Sequence, residues 1–449
     1  MRFRYNFKFI LFIYILTALI GGYGLGIIAG VAIHIQNSFK LDDGQLSYLI
    51  GLLFLGGIIA KFFWLSADYI SRKRILIIVL LTFIVATFLF INSVSYTSLE
   101  WSRLFQGAAI LLSYYAFPVY MTEIALPEKR GMYVTLYQLM WAGGIAISSL
   151  AVLMFDNFVS WQEFYDVPMY LLILVTIGIL FIPYSPVWLI SRNRIAEAKD
   201  VYKKLFPELT EIQINERILS TKESLFKEKN STNKVRNLFD AKSIKIIFIV
   251  TLLLILNQLS GNNVVLLMNE KVLQSIDSYS ASLNMVSFLV MFVNFGATIL
   301  TVIYADKLGR KKVFYIGLII AIISYVFLSL SFFIPIKGLQ YYLVLIFLVL
   351  AVGGLAFGPA GIIITIINEM LPNRVRVIGI FIAGMTTTIF TFFFASSFLN
   401  FADKFGYGAL FLILAGVCVV YMLIVKLTIV ETAGKTLEEI EQDFRTKNG

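Results

Sequence analysis

ADYISRKR (residues 67–74) returns, altered but recognisable, as ADKLGRKK (305–312). Each copy closes a long apolar run, and six such runs separate them. A second pair behaves the same way: EIALPEKRG (123–131) follows the fourth run and EMLPNRVRVIG (369–379) follows the tenth. An acid, a gap, then arginine and glycine recur at equivalent places. The chain is therefore read as a six-plus-six duplication, an arrangement that places a solute near the midplane between the two halves.

The composition requires the same medium. Of 449 residues 59% are hydrophobic and 14% charged, far below the roughly 25% charge of a water-facing domain. Runs of about 20 apolar residues read as membrane-crossing helices, because lipid leaves no partner for an open backbone. Twelve are expected, near 9–34, 45–68, 74–94, 98–121, 131–155, 167–190, 244–270, 281–304, 312–334, 340–367, 375–400 and 406–429. The fold class is all-α, with two six-helix bundles (1–190 and 244–430), a polar linker of short helices (191–243) and a tail (431–449). The first run is too long for a signal peptide and lacks a cleavage site.

Basic residues collect on one side: Arg2, Arg4, Lys8, SRKR (71–74), Lys129, Arg130, the linker, DKLGRKK (306–312) and the tail. That asymmetry predicts cytoplasmic termini in a plasma or bacterial inner membrane. It also accounts for the net charge of +10 as topogenic charge with affinity for anionic lipid, not as a nucleic-acid patch. The single cysteine, Cys418, reads as a buried small residue. The single histidine, His34, reads as interfacial. No cluster suggests a metal, a cofactor or an enzyme's nucleophile and base.

Six motifs in order give these runs a family. PVYMTEIALPEKRG (118–131), PYSPVWL (183–189), NQLSGNN (257–263), DKLGRKK (306–312), VETAGKTLEEI (430–440) and the partial ADYISRKR, with Ser71 where glycine is usual, resemble the sugar porters of the major facilitator superfamily. The resemblance runs from about Gly22 to Ile440. It implies a carrier working by alternating access, functional as a monomer, for a hexose, pentose or polyol. Asp68, Arg72, Glu123 and Arg130 in one half, and Asp306, Arg310, Glu369, Arg374 and Arg376 in the other, suit a latch of inter-helix ion pairs that breaks when the bundles rock. Pro359, with Gly358, makes the tenth helix breakable.

Inside the spans, amides that both donate and accept suit a sugar's hydroxyls. Gln138, Asn257, Gln258, Asn263 and Asn294 stand where the resemblance places such amides, Asn257 replacing a glutamine. Thr387 and Thr388 occupy the eleventh-span positions usually held by an amide and a tryptophan. Leu267 and Met268 replace a tyrosine pair, and Ile364 stands where a tryptophan would fall. The C-terminal half thus lacks an aromatic platform, with Phe393 or Phe394 as the replacement to test.

Arg103 matches the family's fourth-span arginine, whose partner in proton-coupled members is a first-span aspartate. Here that position is Gly24, and the first span has no other acid. Proton coupling needs a carboxyl that titrates between states, so downhill uniport is expected over symport. The scarcity of intramembrane charge argues for a neutral solute over an organic ion. Lys61 in the second span is expected to snorkel to the interface. The short tail disfavours a signalling receptor. In GYGLGIIAG (22–30), Gly22, Gly26 and Gly30 share a face that lets a neighbouring helix approach closely, while Gly24 lies on another.

Overall fold

The computed structural model describes residues 6–64, 69–230, 241–276, 280–371 and 376–429. Twelve helices in it are long and apolar enough to cross a membrane. The first six are Phe7–Phe39, Asp43–Trp64, Arg72–Ile91, Tyr96–Ile124, Arg130–Phe155 and Glu163–Leu180. The second six are Ser243–Leu267, Leu283–Ala305, Arg310–Ser331, Gly338–Ile367, Ile378–Phe405 and Tyr407–Thr428. The linker supplies the helices Pro186–Ser191, Ile195–Leu205 and Glu211–Asn230.

The first helix outruns its apolar stretch. It starts at an Asn6 cap, whose side chain accepts from the Lys8 amide at 2.9 Å, and ends only at Lys40 in a left-handed conformation. His34 closes the apolar run and the extra turn adds Gln36 beyond it, both at the outer end of the bundle, the side away from the termini.

Within the first half, the first helix packs on the fifth and the second on the fourth. A Cβ on Gly22 would lie 1.9 Å from the Trp141 carbonyl oxygen, and one on Gly26 or Gly30 would press on Ser148 or Val152 of the same fifth helix. The glycine stripe is thus a backbone-to-backbone seam. The two halves meet where the second helix packs on the eleventh and the fifth on the eighth. Ser47 donates to the Ala395 carbonyl at 2.6 Å across that seam.

Two helices are broken. The seventh stops at Leu259, turns at Gly261 (φ 91°) and restarts at Asn262. The Tyr325 hydroxyl takes up the freed Ser260 carbonyl at 2.8 Å. The tenth contains a π-turn at Ala356–Ala360, around Gly358 and Pro359. Proline cannot donate to the helix ladder. Within the turn, Thr301 of the eighth helix donates to the Phe357 carbonyl at 2.7 Å. The close pairing of Gly358 with Gly317 leaves room for the wider turn.

Candidate functional site

The break in the seventh helix brings two candidate amides together. Asn263 Nδ2 donates to Gln258 Oε1 at 2.8 Å, and both side chains are half-buried. Asn257, one residue before, is 5% exposed, and its Oδ1 has no hydrogen-bond partner among the described residues. Asn294 is buried on the eighth helix. An unpaired buried amide oxygen is costly, and a donor from a solute would satisfy it.

The eleventh-span threonines differ from each other. Thr387 turns its hydroxyl back to the Ala383 carbonyl at 2.6 Å. Thr388 bonds the Gly384 carbonyl at 2.9 Å and also accepts from Lys61 Nζ. Lys61 therefore does not snorkel: its ammonium is buried against the opposite half, with Gly384 O as a second acceptor. The basic tip is anchored in the interior, because a lysine near the foot of this helix leans toward the helix N-terminus.

On the N-terminal side, Gln138 sits beside the Tyr114 hydroxyl. Tyr114 meets Trp141 edge-on, with centroids 4.9 Å apart, and Tyr115 at 5.8 Å. The aromatic surface missing from the C-terminal half is thus present on the fourth and fifth helices. Tyr137 and Trp141, one turn apart around Gln138, carried that signal in the sequence. Phe394 packs edge-on against Phe398, and Phe393 is 62% exposed.

Arg103 is fully buried and donates through Nη1 to Gln106 Oε1 at 2.8 Å. Its Nε and Nη2 have no partner among the described residues, and no described carboxylate pairs with it. A Cβ on Gly24 would lie 2.9 Å from Phe83 and 3.1 Å from Ile110, so rings and methyls fill the place of an aspartate.

Of the latch residues, one pair lies wholly among the described side chains. Arg72 Nε meets Glu123 Oε1 at 2.9 Å, both mostly buried. Arg130 is exposed at the start of the fifth helix, and Arg310 opens the ninth, half-buried. Asp68, Arg374 and the side chains of Asp306, Glu369 and Arg376 lie outside the described residues.

A layer the sequence reading missed closes the outer side. Lys271, from the far piece of the seventh helix, meets Asp43 at 2.9 Å and Gln36 at 2.7 Å. Asn284 of the eighth helix donates to Asp156 at 2.9 Å, and Asp156 holds His34 at 2.8 Å. The bonds of Lys271 and Asn284 cross between the halves, and Gln36, Asp43 and Lys271 line a cavity of about 680 Å³ together with Asn37, Lys40 and Tyr407. His34 is therefore one member of a polar network, not a bystander at the interface.

A model for the family described as "Sugar (and other) transporter" matches residues 10–444. A putative metabolite transport protein of Bacillus subtilis, YwtG, is 27% identical, covering 95% of this chain and 93% of that protein. The galactose-proton symporter of Escherichia coli is 25% identical, covering 97% and 94%. The glucose transporter GlcP of Staphylococcus epidermidis is also 25% identical, covering 98% of both. The inward-open structure of the xylose transporter XylE from E. coli superposes with a TM-score of 0.81 at 20% identity, covering 97% of this chain and 99% of that one. The chain belongs to the sugar transporter family of the major facilitator superfamily.

Proposed function

We propose that this chain carries a sugar or related polyol across the membrane by alternating access, as a uniporter with both termini cytoplasmic. The relatives include proton symporters as well as a glucose transporter, so the family alone leaves the energetics open. The observation that carries the uniport reading is Arg103. Its bound partner is a neutral glutamine, and Gly24 is walled off by Phe83 and Ile110. A coupling carboxyl has neither its residue nor its space there.

The amides Gln138, Gln258 and Asn263 read hydroxyls, and Tyr114 and Trp141 offer an apolar face, which together fit a polyol ring. The cross-half bonds of Lys271 and Asn284 hold the outer side shut. Their rupture, with closure at the cytoplasmic ends, supplies the other state. The test is uptake into proteoliposomes of radiolabelled hexoses, pentoses, polyols and inositol, with and without a pH gradient. Uptake that equilibrates and ignores the gradient is expected. Accumulation driven by protons overturns uniport, and flux of an organic ion with none of any polyol overturns the substrate class.

A further inference from the structure

We infer that the central site takes a polyol bearing a carboxylate, a sugar acid such as an aldonate or uronate, and that Lys61 receives it. This deepens the carrier reading above, rests on it, and revises the neutral solute expected from composition.

Lys61 lies 18 residues along the second helix from Asp43, roughly 27 Å at 1.5 Å per residue. Its side chain leans back toward the outer end of the helix and so rises toward the midplane. Lys61 is 9% exposed. It donates to the Gly384 carbonyl and the Thr388 hydroxyl, and sits 5.7 Å from the centroid of the Tyr115 ring. It therefore touches the second, fourth and eleventh helices, and so both halves of the carrier. Tyr115 abuts Tyr114, which touches Gln138. Lys61 is thus linked through two neighbouring rings to Gln138, one of the amides proposed to read hydroxyls.

Among the described residues this ammonium meets only neutral groups. Among the described residues, the ion pairs join groups near the ends of the spans or in the linker, and none includes Lys61. A buried cation held only by dipoles is expensive in a low-dielectric interior. An ammonium has three N–H donors, and the two hydrogen bonds leave one for a ligand. Arg103, the other cation buried within a span, stands 12 residues from Tyr115 on the fourth helix, about 18 Å away, too far to share one small anion. A second hydroxyl would add little at this corner, where Thr388 already offers one. A carboxylate would neutralise the charge. The site then has two ends: amides and rings for the polyol, ammonium and threonine for the acid group.

The test uses the purified full-length chain in proteoliposomes. Glucuronate and gluconate are compared with glucose, xylose and inositol by counterflow, at neutral pH on both sides. The acids should enter at least tenfold more efficiently than glucose. An inside-positive potassium diffusion potential should speed them, because an anion carried without a proton moves charge. Lys61→Met should cut acid uptake at least tenfold, and Lys61→Arg should retain most of it. Thr388→Val, which removes one acceptor of the ammonium, should raise KM for the acids and serves where Lys61→Met fails to reach the membrane. Neutral sugars moving while acids do not overturns the inference and leaves the carrier reading standing. Equal acid uptake by Lys61→Met, or by Thr388→Val where that is the variant in hand, also overturns it. Acid uptake indifferent to potential supports the inference but overturns uniport. Flux of no polyol of either kind overturns both.

Discussion

Lys271 and Asp43 come from opposite halves of the chain and meet at 2.9 Å, with the lysine 9% and the aspartate 25% exposed. The pair joins the two halves to each other, and in the proposed transport cycle it is the contact that opening of the outer side would break. A partly buried charge-assisted bond contributes about 2 kcal/mol, so its loss shifts the balance of states roughly thirtyfold. In Lys271→Ala, spin labels on cysteines placed at the exposed Ser38 and Ser275 should report a longer distance than in the parent. The native Cys418 is buried and should stay unlabelled. An unchanged distance distribution removes the pair from the gate.

Arg72, at the start of the third helix, is tied to Glu123, at the end of the fourth. Breaking a fully buried pair by removing one partner costs about 3 kcal/mol or more, and this mostly buried pair approaches that limit. Glu123→Ala should lower the melting temperature in detergent and reduce uptake about tenfold. The double variant Arg72→Ala/Glu123→Ala should recover part of the stability. Equal melting of the single variant and the parent contradicts the assignment.

The glycines make a graded prediction. Gly22→Ala forces a methyl into the Trp141 carbonyl, and the helices must part. Folded yield should fall severely. Gly131→Ala meets nothing within 4 Å and should melt with the parent. Gly24→Asp should destabilise without conferring proton-driven accumulation, since Phe83 and Ile110 occupy the pocket. Fluorescence-detected size exclusion after heating separates the three cases.

Gln258 and Asn263 hold each other at 2.8 Å across the break in the seventh helix. Gln258→Ala should abolish uptake while the protein still reaches the membrane. Unchanged uptake in that variant removes Gln258 from the site.

The spans were legible because hydropathy is a local property. Twelve runs were counted and twelve helices found. The glycine seam was legible for a similar reason, since helical spacing alone puts Gly22, Gly26 and Gly30 on one face. Lys61 was not. Whether a lysine snorkels or turns inward depends on what the eleventh helix presents more than 300 residues later, here a glycine carbonyl and a threonine. The outer gate escaped for the same reason. Lys271, Asp43 and Asn284 look like scattered interfacial polar residues until the chain is folded. His34 gained its place only through Asp156, more than 100 residues on, which Asn284 of the other half also bonds. A replacement aromatic surface was sought on the C-terminal half, where the motifs break, while the Tyr114 and Trp141 rings meet on the N-terminal half.

The π-turn at Ala356–Ala360 has a consequence for anyone re-engineering the tenth helix. One extra residue in a turn rotates everything after it by about 100° relative to an unbroken α-helix. A helical wheel drawn through residues 338–367 therefore assigns the wrong compass bearing to every side chain beyond Gly361. Ile364, singled out by counting as the place of a missing tryptophan, is 42% exposed, while Ile363 beside it is fully buried. An aromatic ring rebuilt here has to be aimed by azimuth, with position number a poor guide.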